Sequence, residues 1–324
     1  MKVLVCGGAG YIGSHLVRLL ASKGCQVVVF DNLLTGHREA VGDAPLIEGD
    51  LLDPDALRTL FAAHRFDAVV HLCALSEVGA SVTDPYRYYQ NNVTGTLNLL
   101  DAMRTADVDK LVFSSTAAVY GYTNATIIDE HHPTQPINPY GASKLMVERI
   151  LSDAAAAYGL RSVALRYFNA AGADPAGDIG ESHHPETHLI PNVLRSALGR
   201  SGALKIFGDD YPTPDGTCVR DYIHVNDLAI AHQKAIDFMV DHAGAEVFNL
   251  GNGQGFSVSE VIAAAARVTG SDIPFEWSPR RAGDAPVLVA SSIKARKQLD
   301  WHPEFVDIDG IIATAWRWHS HQRY

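Results

Sequence analysis

The chain has 324 residues, 47% of them apolar, and a formal charge of −11. That length allows two domains or one large one, and that composition is ample for a sizeable core. The negative balance argues against a nucleic acid or an anionic membrane as the main partner, although a few arginines in a cleft still suit an anionic ligand.

The first element is a strand over residues 2–6, KVLVC, with no basic segment leading into an apolar run. A cytoplasmic protein is therefore expected, and no apolar run approaches the ~20 residues of a membrane span. A glycine-rich turn, GGAGYIG, opens a helix over 11–23. Strands then recur at 26–30, 44–49, 67–72, 110–115 and 162–168, separated by amphipathic segments at 54–64, 85–105 and 140–158. Continuous apolar strands alternating with helices predict a doubly wound α/β domain, a parallel sheet covered on both faces, over residues 1–170. After that the chain is rich in Gly, Pro and Asp up to a helix near 188–200, and YIHV at 222–225 reads as one more buried strand. Residues 171–324 thus predict a smaller mixed α/β lobe, of which about 220–250 can return to the main sheet.

Gly7, Gly10 and Gly13 follow the first strand directly and start the first helix. Glycines there allow a tight turn and close approach of a pyrophosphate, which then sits at the positive helix N-terminus. The second strand ends in Asp31, where a carboxylate can accept the ribose hydroxyls and repel a 2′-phosphate, so NAD is expected over NADP. The four cysteines, Cys6, Cys25, Cys73 and Cys218, show no CxxC spacing, and Cys6 and Cys73 fall in apolar strand-like runs that predict reduced, buried thiols. The pairs His131-His132 and His183-His184 lie in polar, proline-flanked loops without matching Cys or Asp spacing, so no metal is expected there.

Tyr140 and Lys144 stand four apart near the start of the 140–158 helix, downstream of Thr116 at a strand end. Positions i and i+4 share a helix face, so both side chains point into the crevice at the strand C-termini, where ligands bind in such sheets. A free phenol ionises near pH 10, while a nearby ammonium and a positive nicotinamide ring both favour phenolate. With Thr116 holding a substrate hydroxyl, the set suits removal of a proton from an alcohol while NAD takes the hydride.

The G-x-x-G-x-x-G spacing, HLCA at 71–74 and the Tyr-x-x-x-Lys pair after SST together resemble the extended short-chain dehydrogenase/reductase family, with its Rossmann fold. Within it, the chain resembles the UDP-galactose/UDP-glucose 4-epimerases over essentially its whole length. The stretches that carry this are GGAGYIGSH (7–15), NNVTGTLNLL (91–100), SSTAAVYG (114–121), NPYGASKLMVE (138–148), LRYFNAAGA (165–173), the 206–229 segment and PRRAGD (279–284).

That resemblance implies transient oxidation of a UDP-hexose at C4 by tightly held NAD, with hydride returned to the other face of the keto sugar. It implies Tyr140 as base, Lys144 as its partner and Thr116 as the hydroxyl. Cofactor positions are Gly7, Gly10, Tyr11, Ile12, Gly13, Asp31, Asn32, Asp50, Leu51, Leu72, Ala74, Asn91 and Tyr167, with Tyr140 and Lys144. Substrate positions are Asn169, His188, Leu189, Phe207, Arg220, Arg281, Asp284 and Leu288, with Thr116 and Tyr140. Ser76 replaces a lysine found in some members, and His188 an asparagine. Leu288 is expected beside the hexose C2 substituent, which favours UDP-galactose and UDP-glucose over the N-acetylated sugars. The resemblance also implies a homodimer, for which the 85–105 and 140–158 segments carry enough apolar positions.

Dehydratases and decarboxylases of this fold need an extra acid/base where Ala117 and Ala118 stand. A 4-epimerase acting on UDP-N-acetylglucosamine or UDP-glucuronate stays open. A non-catalytic NAD-binding sensor commonly lacks the tyrosine or the lysine, and this chain has both.

Overall fold

The apolar runs of the first half form one parallel sheet in the computed structural model, which describes residues 1–123, 125–281 and 285–324. Strands β1 (Lys2–Cys6), β2 (Gln26–Asp31), β3 (Leu46–Glu48), β4 (Ala68–His71), β5 (Lys110–Thr116) and β6 (Arg161–Tyr167) lie in the order 3-2-1-4-5-6. The chain then leaves through β7 (Asn169–Ala171), β8 (Leu204–Phe207) and β9 (Val219–His224), and returns to add β10 (Ala245–Leu250) as the seventh strand, parallel to β6. The order reverses between β1 and β4, and that switch point is where doubly wound sheets open a ligand crevice.

Side chains alternate across a strand, so each strand feeds two cores. Val3 and Val5 of β1 pack with Leu16 and Leu20 of α1 (Tyr11–Ser22) on one face. Leu4 and Cys6 pack on the other face with Leu57 and Leu60 of α2 (Pro54–Ala63). On that second face the predicted 85–105 helix is interrupted. After α3 (Val78–Thr83), α4 (Pro85–Tyr89) runs into a π-helical turn, Gln90–Thr94, and then α5 (Gly95–Thr105). The turn swings Asn92 inward, where its Oδ1 accepts from the Leu75 N–H at 2.9 Å and its Nδ2 donates to the Leu75 carbonyl and Ser143 Oγ at 3.0 Å. Such turns interrupt helices frequently at functional sites.

Helix α6 (Pro139–Tyr158) starts cleanly, with Asn138 capping the Gly141 N–H and Pro139 in the first turn. The remaining helices are α7 (Leu189–Ala197), α8 (Val225–Asp241), α9 (Val258–Thr269), α10 (Ile293–Gln298) and α11 (Ile308–Ser320). Leu228 and Ile236 of α8 and Ala295 of α10 cover the main sheet beside α1. Val193, Val261 and Ile311 of α7, α9 and α11 form a separate core under β7, β8 and β9. That second lobe carries β11 (Gly255–Ser257), β12 (Phe275–Ser278) and β13 (Val287–Leu288): β11 and β13 flank β9, and β12 pairs with β8. All four cysteines are free thiols. Among the described residues no helix is long and apolar enough to cross a membrane.

Candidate active site

A cleft of about 710 Å³ runs along the C-terminal ends of the strands and continues between the two lobes. Its first wall is the glycine turn. Gly7 has φ +84°, and a Cβ there would sit 2.8 Å from the Cys73 nitrogen; a Cβ on Gly13 would collide with the Gly7 carbonyl oxygen. Only glycine lets the turn fold this tightly under the helix start. Gly10 caps α1 without a side-chain hydrogen bond, so the positive end of the helix faces the cleft that Gly7, Gly10, Tyr11, Ile12 and Gly13 line. Asp31 closes β2, and its carboxylate accepts from the Ala9 and Leu33 N–H groups, each at 2.9 Å. Burial pushes this carboxyl up and the two donors oppose it. Beside it, Asn32 Nδ2 donates to Asp50 Oδ2 at 2.8 Å, and Leu51 is buried against α2 and α5. Asn91 Nδ2 donates to Asn92 Oδ1 at 2.9 Å. A glycine cradle at a helix N-terminus, followed by an acid at the second strand end, fits NAD: the turn would hold its pyrophosphate and Asp31 its ribose hydroxyls.

The residues expected to carry the chemistry lie at the end of β5 and the start of α6. Thr116 Oγ1 accepts from the Ala118 N–H at 3.1 Å and holds the hydroxyl at the cleft. Tyr140, in the first turn of α6, shares a hydrogen bond with Thr116. The two elements approach closely because residue 141 is glycine: a Cβ there would stand 2.5 Å from the Ala118 carbonyl oxygen. Lys144 is buried, and its Nζ donates to the Ser114 carbonyl at 2.7 Å and Ser114 Oγ at 3.1 Å. This modifies the electrostatic expectation. Nζ lies 6.0 Å from the centre of the Tyr140 ring, and burial lowers its own pKa to about 7. Burial likewise pushes the Tyr140 phenol up, and the Thr116 hydrogen bond pulls it part of the way back. Burial and the Thr116 hydrogen bond thus oppose each other on the phenol, and a positive nicotinamide beside it would favour phenolate.

Behind the strand end a buried network fixes the frame. Ser115 Oγ donates to Glu148 Oε1 at 2.5 Å, and Arg166 grips the same carboxylate through Nε at 2.9 Å and Nη2 at 2.6 Å. Arg166 Nη1 also donates to the Tyr120 hydroxyl, which donates to Asn249 Oδ1 at 2.6 Å. These pairings across β5, α6, β6 and β10 leave no sequence periodicity.

The second lobe supplies the far wall. Phe207 lies under the Arg281 guanidinium, 3.9 Å from the ring centre, and both line the cleft with Arg220, Asn169 and Leu189. Arg220 Nη1 donates to the Ala285 carbonyl at 2.7 Å. Asn169 Nδ2 donates to the Asp221 carbonyl, and the buried Asp221 carboxylate gathers the Asn252, Gly253 and Ala290 N–H groups. Leu72, Ala74, Ser76 and Tyr167 also face the cleft, with the Tyr167 hydroxyl turned away at 2.5 Å from His232 Nε2.

β13 pairs Leu288 with Arg220 of β9, and the side chain packs against Val119, Tyr120 and Ile128. Asp284 lies outside the described residues. The loop histidines depart from expectation. His183 meets His188, Glu181 and Glu186, with donor atoms all within 4.8 Å of one another, and His183, His188 and Glu181 line the cleft. Burial opposes charge on both Glu181 and His188, but the hydrogen bonds from His183 and His188 hold the Glu181 carboxyl below the usual carboxylate range, and Glu181 with Glu186 holds the His188 imidazole above its ordinary value. The signal that could have found this cluster is E-x-H-x-x-E-x-H from 181 to 188, where scanning for cysteine or aspartate spacing misses glutamate.

The sequence profile of the NAD dependent epimerase/dehydratase family matches residues 3–251. A UDP-glucose 4-epimerase of Halalkalibacterium halodurans is 52% identical over 320 residues, covering 99% of this chain and 96% of that protein. The crystal structure of UDP-glucose 4-epimerase from Brucella ovis in complex with NAD superposes with a TM-score of 0.95 at 49% identity, over 97% of each chain. That of the Bifidobacterium longum UDP-glucose 4-epimerase in complex with NAD+ and UDP gives 0.94 at 40% identity, over 99% of each chain. Both the profile match and the full-length identity say the same thing: the chain belongs to the NAD dependent epimerase/dehydratase family.

Proposed function

We propose that this chain interconverts UDP-galactose and UDP-glucose by NAD-dependent 4-epimerisation. The observation that carries the reading is the adjacency of Thr116, Tyr140 and Lys144 at a strand end beside a glycine cradle, in a chain about half identical to UDP-glucose 4-epimerases over its whole length. The glycine cradle and Asp31 would hold NAD, which would supply a reversible hydride acceptor for C4 of the hexose. Tyr140 takes the C4 hydroxyl proton and later returns it, so the cycle needs no outside acid or reductant. Thr116, fixed by the Ala118 N–H, orients that hydroxyl between its own oxygen and the phenol. Lys144, anchored on Ser114, has the reach of a cofactor ligand and the low pKa of a residue whose charge responds to what binds beside it. The diphosphate falls to Arg220 and Arg281, and Phe207 offers a flat face to a uracil ring.

Purified protein supplied with UDP-galactose alone should form UDP-glucose, read by a coupled UDP-glucose dehydrogenase assay, and denaturation should release NAD. Absence of turnover across UDP-hexoses, with NAD present, would overturn the enzyme reading in favour of a sensor. A homodimer accompanies the proposal, because Leu97 on α5, Met146 on α6, Val82 on α3 and Tyr86 on α4 are all exposed apolar side chains. Light scattering at working concentration tests it, and a monomer mass refutes it. A cytoplasmic location goes with a nucleotide-sugar substrate.

A further inference from the structure

The loop between β7 and α7 brings two glutamates and two histidines to one point on the cleft wall. His183 Nδ1 lies 3.1 Å from Glu181 Oε1 and 4.0 Å from Glu186 Oε2, and His188 Nδ1 contacts Glu181 and lies 3.5 Å from Glu186 Oε1. Both carboxylates are almost wholly removed from solvent, with side-chain exposures of 4% for Glu181 and 3% for Glu186. Among the described residues no lysine or arginine pairs with either of them. Two like charges buried together need compensation, and carboxylates in that position pair with protonated groups or ligate a cation.

The geometry favours a cation. Glu186 is already oriented, since its Oε1 accepts from the Thr187 and His188 N–H groups at 2.8 and 2.9 Å, leaving Oε2 toward His183. The Glu181 backbone is pinned as well, its carbonyl accepting from Trp318 Nε1 at 2.8 Å. Ligand atoms around a tetrahedral zinc ion at ~2.0–2.2 Å stand roughly 3.4 Å from one another. The four side chains, with donor atoms within 4.8 Å, reach that spacing by small rotations. Two imidazoles and two carboxylates form a borderline N₂O₂ set that suits zinc better than the all-oxygen cages of magnesium or calcium.

We propose that Glu181, His183, Glu186 and His188 form a divalent transition-metal site of the zinc class that clamps the 172–188 loop as a wall of the cleft. The site is separate from the hydride chemistry and stands whether or not the UDP-hexose reading holds. Protein stripped with EDTA and dialysed should take up Zn²⁺ from zinc chloride at one equivalent per chain in calorimetry, and its Tm should rise by roughly 5 °C in excess zinc. His183→Ala and Glu181→Gln should each weaken that uptake at least ten-fold and remove the Tm shift, while circular dichroism stays that of the parent. The His131→Ala/His132→Ala double variant should keep both readouts. No saturable uptake by the parent, uptake unchanged in the His183→Ala and Glu181→Gln variants, or uptake lost in the His131/His132 variant each overturns the proposal.

Discussion

Alanine at position 141 adds a single methyl group at the point where the two halves of the candidate site meet. A Cβ built on Gly141 stands 2.5 Å from the Ala118 carbonyl oxygen and 3.0 Å from its carbon. Ordinary contact begins at 3.4 Å, so the start of α6 and the 117–119 turn must part by roughly 0.9 Å. Both sides are backbone, and neither can rotate away. Thr116 and Tyr140 flank the contact, so the separation enters their hydrogen bond directly. A misplacement of about 1 Å costs on the order of 10²-fold in rate. Overpacking of this kind costs about 1–3 kcal/mol, whereas Gly to Ala in an unhindered helix gains about 0.5–1 kcal/mol, so sterics and helix propensity predict opposite signs. Gly79→Ala on α3, where a Cβ meets nothing within 4 Å, is the control. Turnover of UDP-galactose and Tm should be measured for the parent and both variants. A Gly141→Ala protein with turnover within three-fold of the parent and an equal or higher Tm refutes the steric reasoning.

Tyr140→Phe keeps the ring and loses the proton carrier; kcat should fall by roughly 10²–10⁴ with UDP affinity largely retained, and a loss under ten-fold would remove Tyr140 as base. Asp31→Ala should weaken NAD, narrow the gap to NADP and lower Tm by unhooking the Ala9 and Leu33 N–H groups; an unchanged NAD/NADP preference contradicts the ribose assignment. Burial lowers Lys144 to about 7 in the folded chain. The unfolded chain therefore binds the extra proton between about pH 7 and pH 10.4, so the stability difference, parent minus Lys144→Met, should rise with pH across that window, and a flat difference refutes it. If Leu288 serves packing alone, Leu288→Ser should lower Tm and leave the ratio of kcat/KM for UDP-galactose and UDP-N-acetylgalactosamine within about three-fold; a ten-fold change would place Leu288 at the sugar pocket.

Strands β1, β2 and β4 were legible because parallel strands buried on both faces are continuously apolar, as VVVF in β2 and AVV in β4 are. The glycine turn and the 140–144 pair were legible because their chemistry is local in sequence. What escaped depends on distant partners. Asn92 breaks the 85–105 helix through bonds to Leu75 and Ser143, and nothing within that segment announces them. Arg166 and Glu148 look like ordinary strand and helix charges until β6 and α6 bring them together. Leu288 lies in a two-residue strand, too short for sequence to say which way its side chain turns; its pairing with β9 sets that. The Glu181–His188 cluster lies in a loop without period, where only the fold tells which side chains converge.

The chain's return from the second lobe to the sheet has a consequence for how the molecule comes apart. β10 and α8 follow β9, α10 follows β13, and α11 then goes back to the second lobe's core. A fragment ending near residue 170 would leave β6 as a bare edge, with Val163 and Leu165 stripped of their cover from α8. A fragment beginning there would carry β10 with no strand to pair. The interlacing predicts that the two lobes unfold together, so that a ligand held by one protects the other. UDP bound against Phe207 and Arg281 should therefore slow proteolysis and hydrogen exchange in β1 and β2, which it does not touch.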